Sequence, residues 1–277
     1  MTRNLLTGVA AAALIAALGI GLWSASGLDE RSAPVVAADT PRLTLPEEEN
    51  ALPPEERAVL QAEMRRYLLE NPEIIMEVIG VLEAQQAAEA QQAELQMVRA
   101  SADALYEDGY SFVGGNPEGD ITLVEFLDYQ CGYCKRAHPE VGALLEADGN
   151  IRLVVKEFPI LGPVSETASR AAMSVLEGQG EDLYKAFSDA LMEFPGRLDD
   201  QQIFRVAERV GVDVDAMRDG MDSAEIDEQI AQNRALADRL EISGTPTFVL
   251  GETLIRGYLP RDQMAEAVRL TRSARGG

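Results

Sequence analysis

The sequence predicts an α/β fold with a helical insertion, preceded by an N-terminal helical extension. Three observations lead there. An apolar run, Ile121 to Leu127, leads into Cys131-Gly132-Tyr133-Cys134 and a helical pattern, and a second apolar run, Ile151 to Lys156, follows that helix. The stretch from about 165 to 240 is helical in pattern, and strands return only at Thr247–Leu250 and Thr253–Arg256. Ahead of these, apolar residues recur at helical spacing from Val59 onward. Strand–helix–strand at this spacing is a βαβ unit, and helices mixed with strands in this order place the chain among α/β proteins.

Residues 1–25 read as a targeting segment. Arg3 is the only charge before Asp29, and Leu5 to Trp23 holds none. Two readings stay open: a signal peptide cleaved near Ser24-Ala25-Ser26, or an uncleaved signal anchor, since about 17–25 apolar residues can cross a bilayer. Either one exports the remainder and brings the cysteines to an oxidising compartment. The expected location is a bacterial periplasm, with the chain soluble after cleavage or tethered to the inner membrane. Residues 26–55 hold Pro34, Pro41, Pro46, Pro53, Pro54 and Glu47-Glu48-Glu49, and read as a flexible linker.

From 56 to 108 the pattern is that of a helical extension. Val59, Leu60, Met64, Tyr67 and Leu68 lie on one helix, and Asn71-Pro72-Glu73 restarts a second, with Asn71 as N-cap and Pro72 as first helical residue. Ile74, Ile75, Val78, Ile79 and Leu82 then form an apolar stripe that demands burial. The Ala, Gln and Glu of 83–97 are good helix formers and carry this helix to about Leu105.

The domain from 110 to 272 opens with Ser111-Phe112-Val113, a candidate edge strand ended by Gly114-Gly115. Ile121 to Leu127 is a buried strand, Gly132 to about Ala147 a helix, and Ile151 to Lys156 the next strand. Helical segments near 165–178, 181–193, 199–210, 213–220 and 223–240 are separated by Gly178, Gly180, Pro195-Gly196, Gly211 and Gly220. Gly251-Glu252 joins the last two strands as a tight hairpin, and a final helix spans about 260–272.

Composition excludes one class of partner. A net charge of −23, from 47 acidic against 24 basic residues, leaves no basic face for nucleic acid. The acidic excess reads as a solubility device.

Cys131 and Cys134 are the only two cysteines. A strand running into Cys-x-x-Cys at a helix start is the layout of a thiol–disulfide redox site. Cys131, at the cap or first position, faces unpaired N–H groups and the positive end of the helix dipole, which favour thiolate. Such cysteines titrate at about 3.5–7.5 instead of about 8.5, and a stabilised thiolate leaves a mixed disulfide easily. Cys134, one turn further in, is the resolving thiol. A structural disulfide across so short a loop removes only about 2 kcal/mol of chain entropy. A zinc site normally takes four Cys/His ligands, and two cysteines with one histidine do not supply them, so no metal and no cofactor are expected. That histidine, His138, is read as a surface residue. Glu125 is a carboxylate within an apolar run. It is either buried at a cost or turned to solvent at the strand end.

The order βαβ, helical insertion, ββα, together with Cys131-Gly132-Tyr133-Cys134, the strand Ile121 to Leu127 and Gly244-Thr245-Pro246-Thr247-Phe248, resembles the DsbA family of exported thiol–disulfide oxidoreductases. The resemblance covers about 110–272. It implies a thioredoxin fold with the helical domain (about 165–240) inserted before a cis-proline. It also implies that Pro246 is cis and lies against the cysteines, with the Thr245 backbone free to pair with an extended client chain. It places Glu125 beneath the cysteines, assisting proton transfer for Cys134, with Lys156 on the neighbouring strand as its partner. Pro139 matches the proline that kinks the active-site helix. Gly132 and Tyr133 would tune the redox poise; this dipeptide, and the threonine before Pro246, look like those of disulfide isomerases.

A second resemblance concerns Tyr67-Leu68-Leu69-Glu70-Asn71-Pro72-Glu73-Ile74-Ile75-Met76-Glu77-Val78, which is similar to the N-terminal segment of the DsbA-related ScsC proteins. In some of these, N-terminal helices join protomers, which implies a homo-oligomer through 56–105. The alternative is that the stripe packs on its own domain or spaces it from the membrane. Three functions follow as expectations: an oxidoreductase that isomerises client disulfides, a DsbA-like oxidase that donates its disulfide, and a copper-binding, metal-handling protein, since Cu(I) favours thiolates. The implied partners of an oxidoreductase are unfolded or misfolded exported proteins and a membrane redox partner.

Overall fold

The computed structural model describes residues 52–275. The targeting segment and residues 26–51 of the linker lie outside the described residues. The chain divides into two compact units, residues 1–64 and 65–277. The first holds the opening turns of helix α1 (Pro54–Glu70), a helix that buries none of its side chains.

In the second unit the chain restarts as α2 (Glu73–Ala100). Asn71 does not cap it. The Asn71 amide donates backward to the Tyr67 carbonyl at 2.8 Å, and Pro72 takes the N-cap with no side-chain bond. Carbonyls in the last turn of a helix lack partners just as the first N–H groups of the next helix do, and here the carbonyl wins. Ile75, Val78, Ile79 and Leu82 remain exposed, and only Val98 of α2 is buried. α2 stops at Ala100, short of Leu105, because Ser101 leaves the helical region and a short α3 (Ala102–Tyr106) begins. That change of direction lets Val98 and Leu105 enter one apolar cluster.

Five strands form one sheet: β1 (Phe112–Gly115), β2 (Ile121–Leu127), β3 (Ile151–Glu157), β4 (Thr247–Leu250) and β5 (Thr253–Arg256), in the order β1-β3-β2-β4-β5. β2 and β3 run parallel, linked by α4 (Gly132–Asp148), and the other pairings are antiparallel. Successive side chains alternate between faces. Leu123, Leu127, Leu153, Val155, Phe248 and Leu250 face α4 and the insertion. Val124, Phe126, Val154, Val249 and Leu254 face the opposite way, onto Val98, Leu105, Leu236 and Leu240.

The insertion is α5 (Pro163–Gln179), α6 (Glu181–Met192), α7 (Asp200–Val210), α8 (Val214–Met221) and α9 (Ala224–Arg239). Buried Ala168, Ala171 and Ala172 on α5 admit its neighbours closely. Asp199 and Gln202 form a capping box at α7, and Asp213 and Ser223 cap α8 and α9. The closing helix α10 (Arg261–Arg275) is tied to the end of α4 by Arg272, which donates to Asp148 and Asp120.

Strand alternation corrects one expected pairing. Glu125 stands opposite Val155 and Phe126 opposite Lys156, so Glu125 and Lys156 point to opposite faces of the sheet. Lys156 is fully buried and donates to Asp108 at 2.5 Å and to the Ala104 carbonyl at 2.8 Å. It is an anchor for the chain between α3 and β1. Removing one partner of a buried pair strands the other charge. Lys156→Ala should therefore cost roughly 3–5 kcal/mol in urea unfolding while leaving the thiol chemistry of Cys131 intact. A loss below about 1 kcal/mol would contradict this assignment.

Candidate active site

β2 ends at Leu127 and the chain turns through Asp128-Tyr129-Gln130 into α4. Asp128 is fully buried and organises the turn. Its carboxylate accepts from Gln130 N at 2.7 Å, Ile160 N at 2.9 Å, Leu161 N at 3.0 Å and the Ser165 hydroxyl at 2.8 Å. Its carbonyl accepts the Cys131 N–H at 3.0 Å. One side chain thus fixes the strand-to-helix junction to the segment after β3. That segment leaves Ile160 and Leu161 exposed, as Tyr133 is.

Cys131 is the N-cap of α4, in an extended conformation, and Gly132 is the first helical residue. Its thiol donates to the Thr245 carbonyl at 3.2 Å. The Thr245–Pro246 bond is cis, and the Pro246 carbonyl accepts Gly257 N at 2.9 Å. The fold therefore brings Thr245 and Pro246, more than a hundred residues downstream, against the first cysteine. Cys131 retains 7% exposure and Cys134 none.

The two thiols differ sharply. A hydrogen bond from Cys134 brings Cys131 down to about 5; burial opposes this, and the Thr245 side chain and the Cys134 and Tyr133 N–H groups add to it. Cys134 moves the other way. Burial pushes it far up, and its bond to Cys131 and the nearby Glu125 push it further.

Glu125 is 4% exposed, and it lies near enough to Cys134 to help push that thiol up. Burial lifts its carboxyl to about 7; His138 works against the rise and Glu157 adds to it. Glu157 shares the Glu125 face, since it lies two residues beyond Val155 on β3. It accepts from Tyr129 Oη at 2.7 Å, Tyr184 Oη at 2.8 Å and Ser169 Oγ at 2.7 Å, yet burial still raises it to about 7. The charged neighbours of Glu125 are thus a second carboxyl and a histidine, with Lys156 on the far side of the sheet.

His138 is not simply at the surface. It lines a cavity of about 390 Å³ whose wall also includes Glu125, Leu127, Ser188 and Asp189. Its Nε2 lies 3.3 Å from Asp189 Oδ1. The signal for this placement was the spacing: four residues after Cys134 is the same helix face. Glu157 was legible from strand alternation. Asp128 and Asp189 carry no local signal, because their partners are remote in sequence. Among the described residues no three His, Cys, Asp or Glu side chains gather as a metal site, and no helix is long and apolar enough to cross a membrane.

Comparisons with known proteins agree with this geometry. The DSBA-like thioredoxin domain family matches residues 122–269, and the copper resistance protein ScsC N-terminal domain matches residues 56–89. The thioredoxin-like oxidoreductase from Silicibacter pomeroyi DSS-3 is 42% identical with a TM-score of 0.59, over 62% of this chain and 97% of its own. A linker-deletion mutant of Proteus mirabilis ScsC is 26% identical with a TM-score of 0.61, over 82% of this chain and 100% of its own. The Na(+)/H(+) antiporter NhaA 3 of Salinispora tropica is 32% identical over 158 residues, which are 56% of this chain and 24% of that protein. The chain spans about a quarter of the length of the antiporter relatives it matches. With the family match covering more than half of the chain and the sheet, insertion and paired cysteines in place, the chain belongs to the DSBA-like thioredoxin domain family and carries a ScsC-type N-terminal domain.

Proposed function

We propose that this chain is an exported thiol–disulfide oxidoreductase that exchanges disulfides with client proteins through Cys131 and Cys134, and that it leans toward isomerising them. The observation that carries the reading is the position of the two sulfurs: Cys131 at a helix tip against the cis Thr245–Pro246 turn, where its thiol is held low, and Cys134 fully buried one turn in, where burial pushes its thiol up.

Each role follows from position. The Cys131 thiolate attacks a client disulfide; one client sulfur leaves as thiolate and the other stays bonded to Cys131. In isomerisation a second client thiolate displaces Cys131, which restores the dithiol. In the resolving branch Cys134 gives its proton to Glu125 and attacks Cys131; the client leaves reduced and the Cys131–Cys134 disulfide forms. The Thr245 backbone, beside cis Pro246, is the docking edge for an extended client segment, and the exposed Tyr133, Ile160 and Leu161 offer contact to its apolar side chains. Gly132 and Tyr133 occupy the first turn of α4, where they set the poise of the thiolate. Clients are unfolded or misfolded exported proteins, and a membrane redox partner resets the pair. Lys156 has no part in this chemistry.

The lean toward isomerisation rests on the Gly-Tyr dipeptide, Thr245 and the N-terminal helices. α2 leaves Ile75, Val78, Ile79 and Leu82 exposed, and the ScsC-type match spans 56–89. A second copy of the chain is the occupant we assign to this stripe, so that several Cys131 sites share one assembly around a client. One observation favours the oxidase reading: a thiolate of low pKa is also a good leaving group, as a disulfide donor requires.

Three outcomes are expected. Cys131→Ser abolishes exchange, whereas Cys134→Ser accumulates mixed disulfides with clients, visible on non-reducing gels; full turnover by the Cys131 variant would refute the site. Iodoacetamide alkylation of Cys131 rises with pH through a midpoint near 5, because only the thiolate reacts, and is flat above it; a midpoint near about 8.5 would mean an ordinary thiol. The full chain sediments as an oligomer and reactivates a scrambled-disulfide substrate. Val78→Glu with Leu82→Glu should yield monomers that shuffle poorly but alkylate normally. A monomeric parent chain, or a disulfide form trapped as the resting state in cells, would turn the assignment to the oxidase.

A further inference from the structure

Glu125 poses a problem of access. At 4% exposure it is closed off from bulk water, yet a group that takes a proton from Cys134 in each resolving cycle must return it to solvent. Lys156 is not available for this, being bonded to Asp108 on the opposite face. Among the described residues, the cavity of about 390 Å³ between α4, α6 and the sheet is the feature that joins Glu125 to the outside. His138 and Asp189 stand on its wall and are partly open to water, with side-chain exposures of 26% and 34%.

We propose that His138, held by Asp189, is the relay through which Glu125 exchanges its proton with solvent by way of this cavity. The inference rests on Glu125 serving as proton acceptor for Cys134 and adds the route by which it is reset. His138 suits the task by position, one helical turn below Cys134 on the same face of α4. Imidazole carries a donor and an acceptor on opposite sides of the ring, so it can pass a proton without rotating. Asp189 holds the Nε2 side at 3.3 Å. Burial works to raise Asp189, but bonds from His138 and Lys185 outweigh it and keep the carboxyl below its ordinary range, so it meets His138 as a carboxylate. The remaining ionisable groups on the cavity wall are Glu146 on α4, Tyr184 and Lys185 on α6, and Glu193 just beyond it. Lys185 is occupied by Asp189 at 2.5 Å. Tyr184 donates to Glu157. Among the described residues, His138 is therefore the side chain on this wall that carries both a ring donor and a ring acceptor.

His138 is a positioning and relay residue, and its effect belongs to one step. In a test with glutathione disulfide, the Cys131 thiolate attacks first, giving the Cys131–glutathione mixed disulfide and one glutathione thiolate. Cys134 then loses its proton to Glu125 and attacks Cys131; the Cys131–glutathione bond breaks, the Cys131–Cys134 bond forms, and a second glutathione leaves. Acid-quenched flow on the full chain resolves the two steps. The expected result is that His138→Ala leaves the first step unchanged and slows the second at least about tenfold at pH 7, within the range of general acid–base effects. Free imidazole at millimolar concentration restores the second step in proportion to its concentration, and Asp189→Asn slows the same step alone. A merely structural role for His138 would give no buffer rescue. A second step at the parent rate in His138→Ala, or a slowed one insensitive to imidazole, overturns the relay. Glu125→Gln runs alongside. If it resolves at the parent rate, the acceptor role of Glu125 has failed; if it is slow while His138→Ala is normal, only the relay has.

Discussion

The structure turns on one sulfur held as thiolate at the first turn of a helix. Cys131 caps α4, and a hydrogen bond from Cys134, with the Thr245 side chain and the Cys134 and Tyr133 N–H groups, brings it down to about 5 against the effect of burial. Much of the fold can be read as support for that atom. β2 aims the chain at it. Asp128 fixes the turn and, through Ile160, Leu161 and Ser165, binds the turn to the start of the insertion. β4 brings Thr245 and Pro246 back from the far end of that insertion, because β4 pairs with β2 directly. The insertion thereby covers one face of the sheet with α5 to α8 and reaches the other with α9, and the chain returns to the site it left.

The two faces of the sheet divide the buried charges. On one, Lys156 and Asp108 form a closed pair that anchors the connection between α3 and β1. On the other, Glu125 and Glu157 share a face, and burial raises each to about 7. Two buried carboxyls that repel are poor at holding charge and good at holding protons near neutrality. Glu157 is stabilised by two tyrosines and a serine, whereas Glu125 opens onto a cavity. The first is thus built to stay, the second to exchange. This contrast separates a carboxyl tied into the core by hydroxyls from one that faces a cavity.

Much of the fold was legible in the chain. The strands at Ile121–Leu127, Thr247–Leu250 and Thr253–Arg256 and the five insertion helices follow from apolar periodicity and from glycines at helix ends, such as Gly211 with its left-handed backbone. The Cys-x-x-Cys sequence after an apolar run marked the strand-to-helix junction that Cys131 caps. What escaped depended on facing and on distance. Lys156 was paired with Glu125 on strand adjacency, but register set them one residue apart and so on opposite faces. Asn71 found a carbonyl behind it in place of an N–H ahead. His138 shares the Cys134 face of α4 by spacing, but its partner Asp189 lies on α6, far along the chain. Side chains whose roles come from tertiary contact leave little local trace.

The central claim is that the Cys131 environment stabilises the dithiol form over the disulfide. Its most direct test is the reduction potential of the Cys131–Cys134 couple, measured on the full chain by equilibration with glutathione redox buffers. A thiolate held at about 5 favours the reduced state, so a potential of about −200 mV or higher is expected, in the range of proteins that oxidise or shuffle disulfides. A value near about −270 mV, that of a reducing thioredoxin, would contradict it.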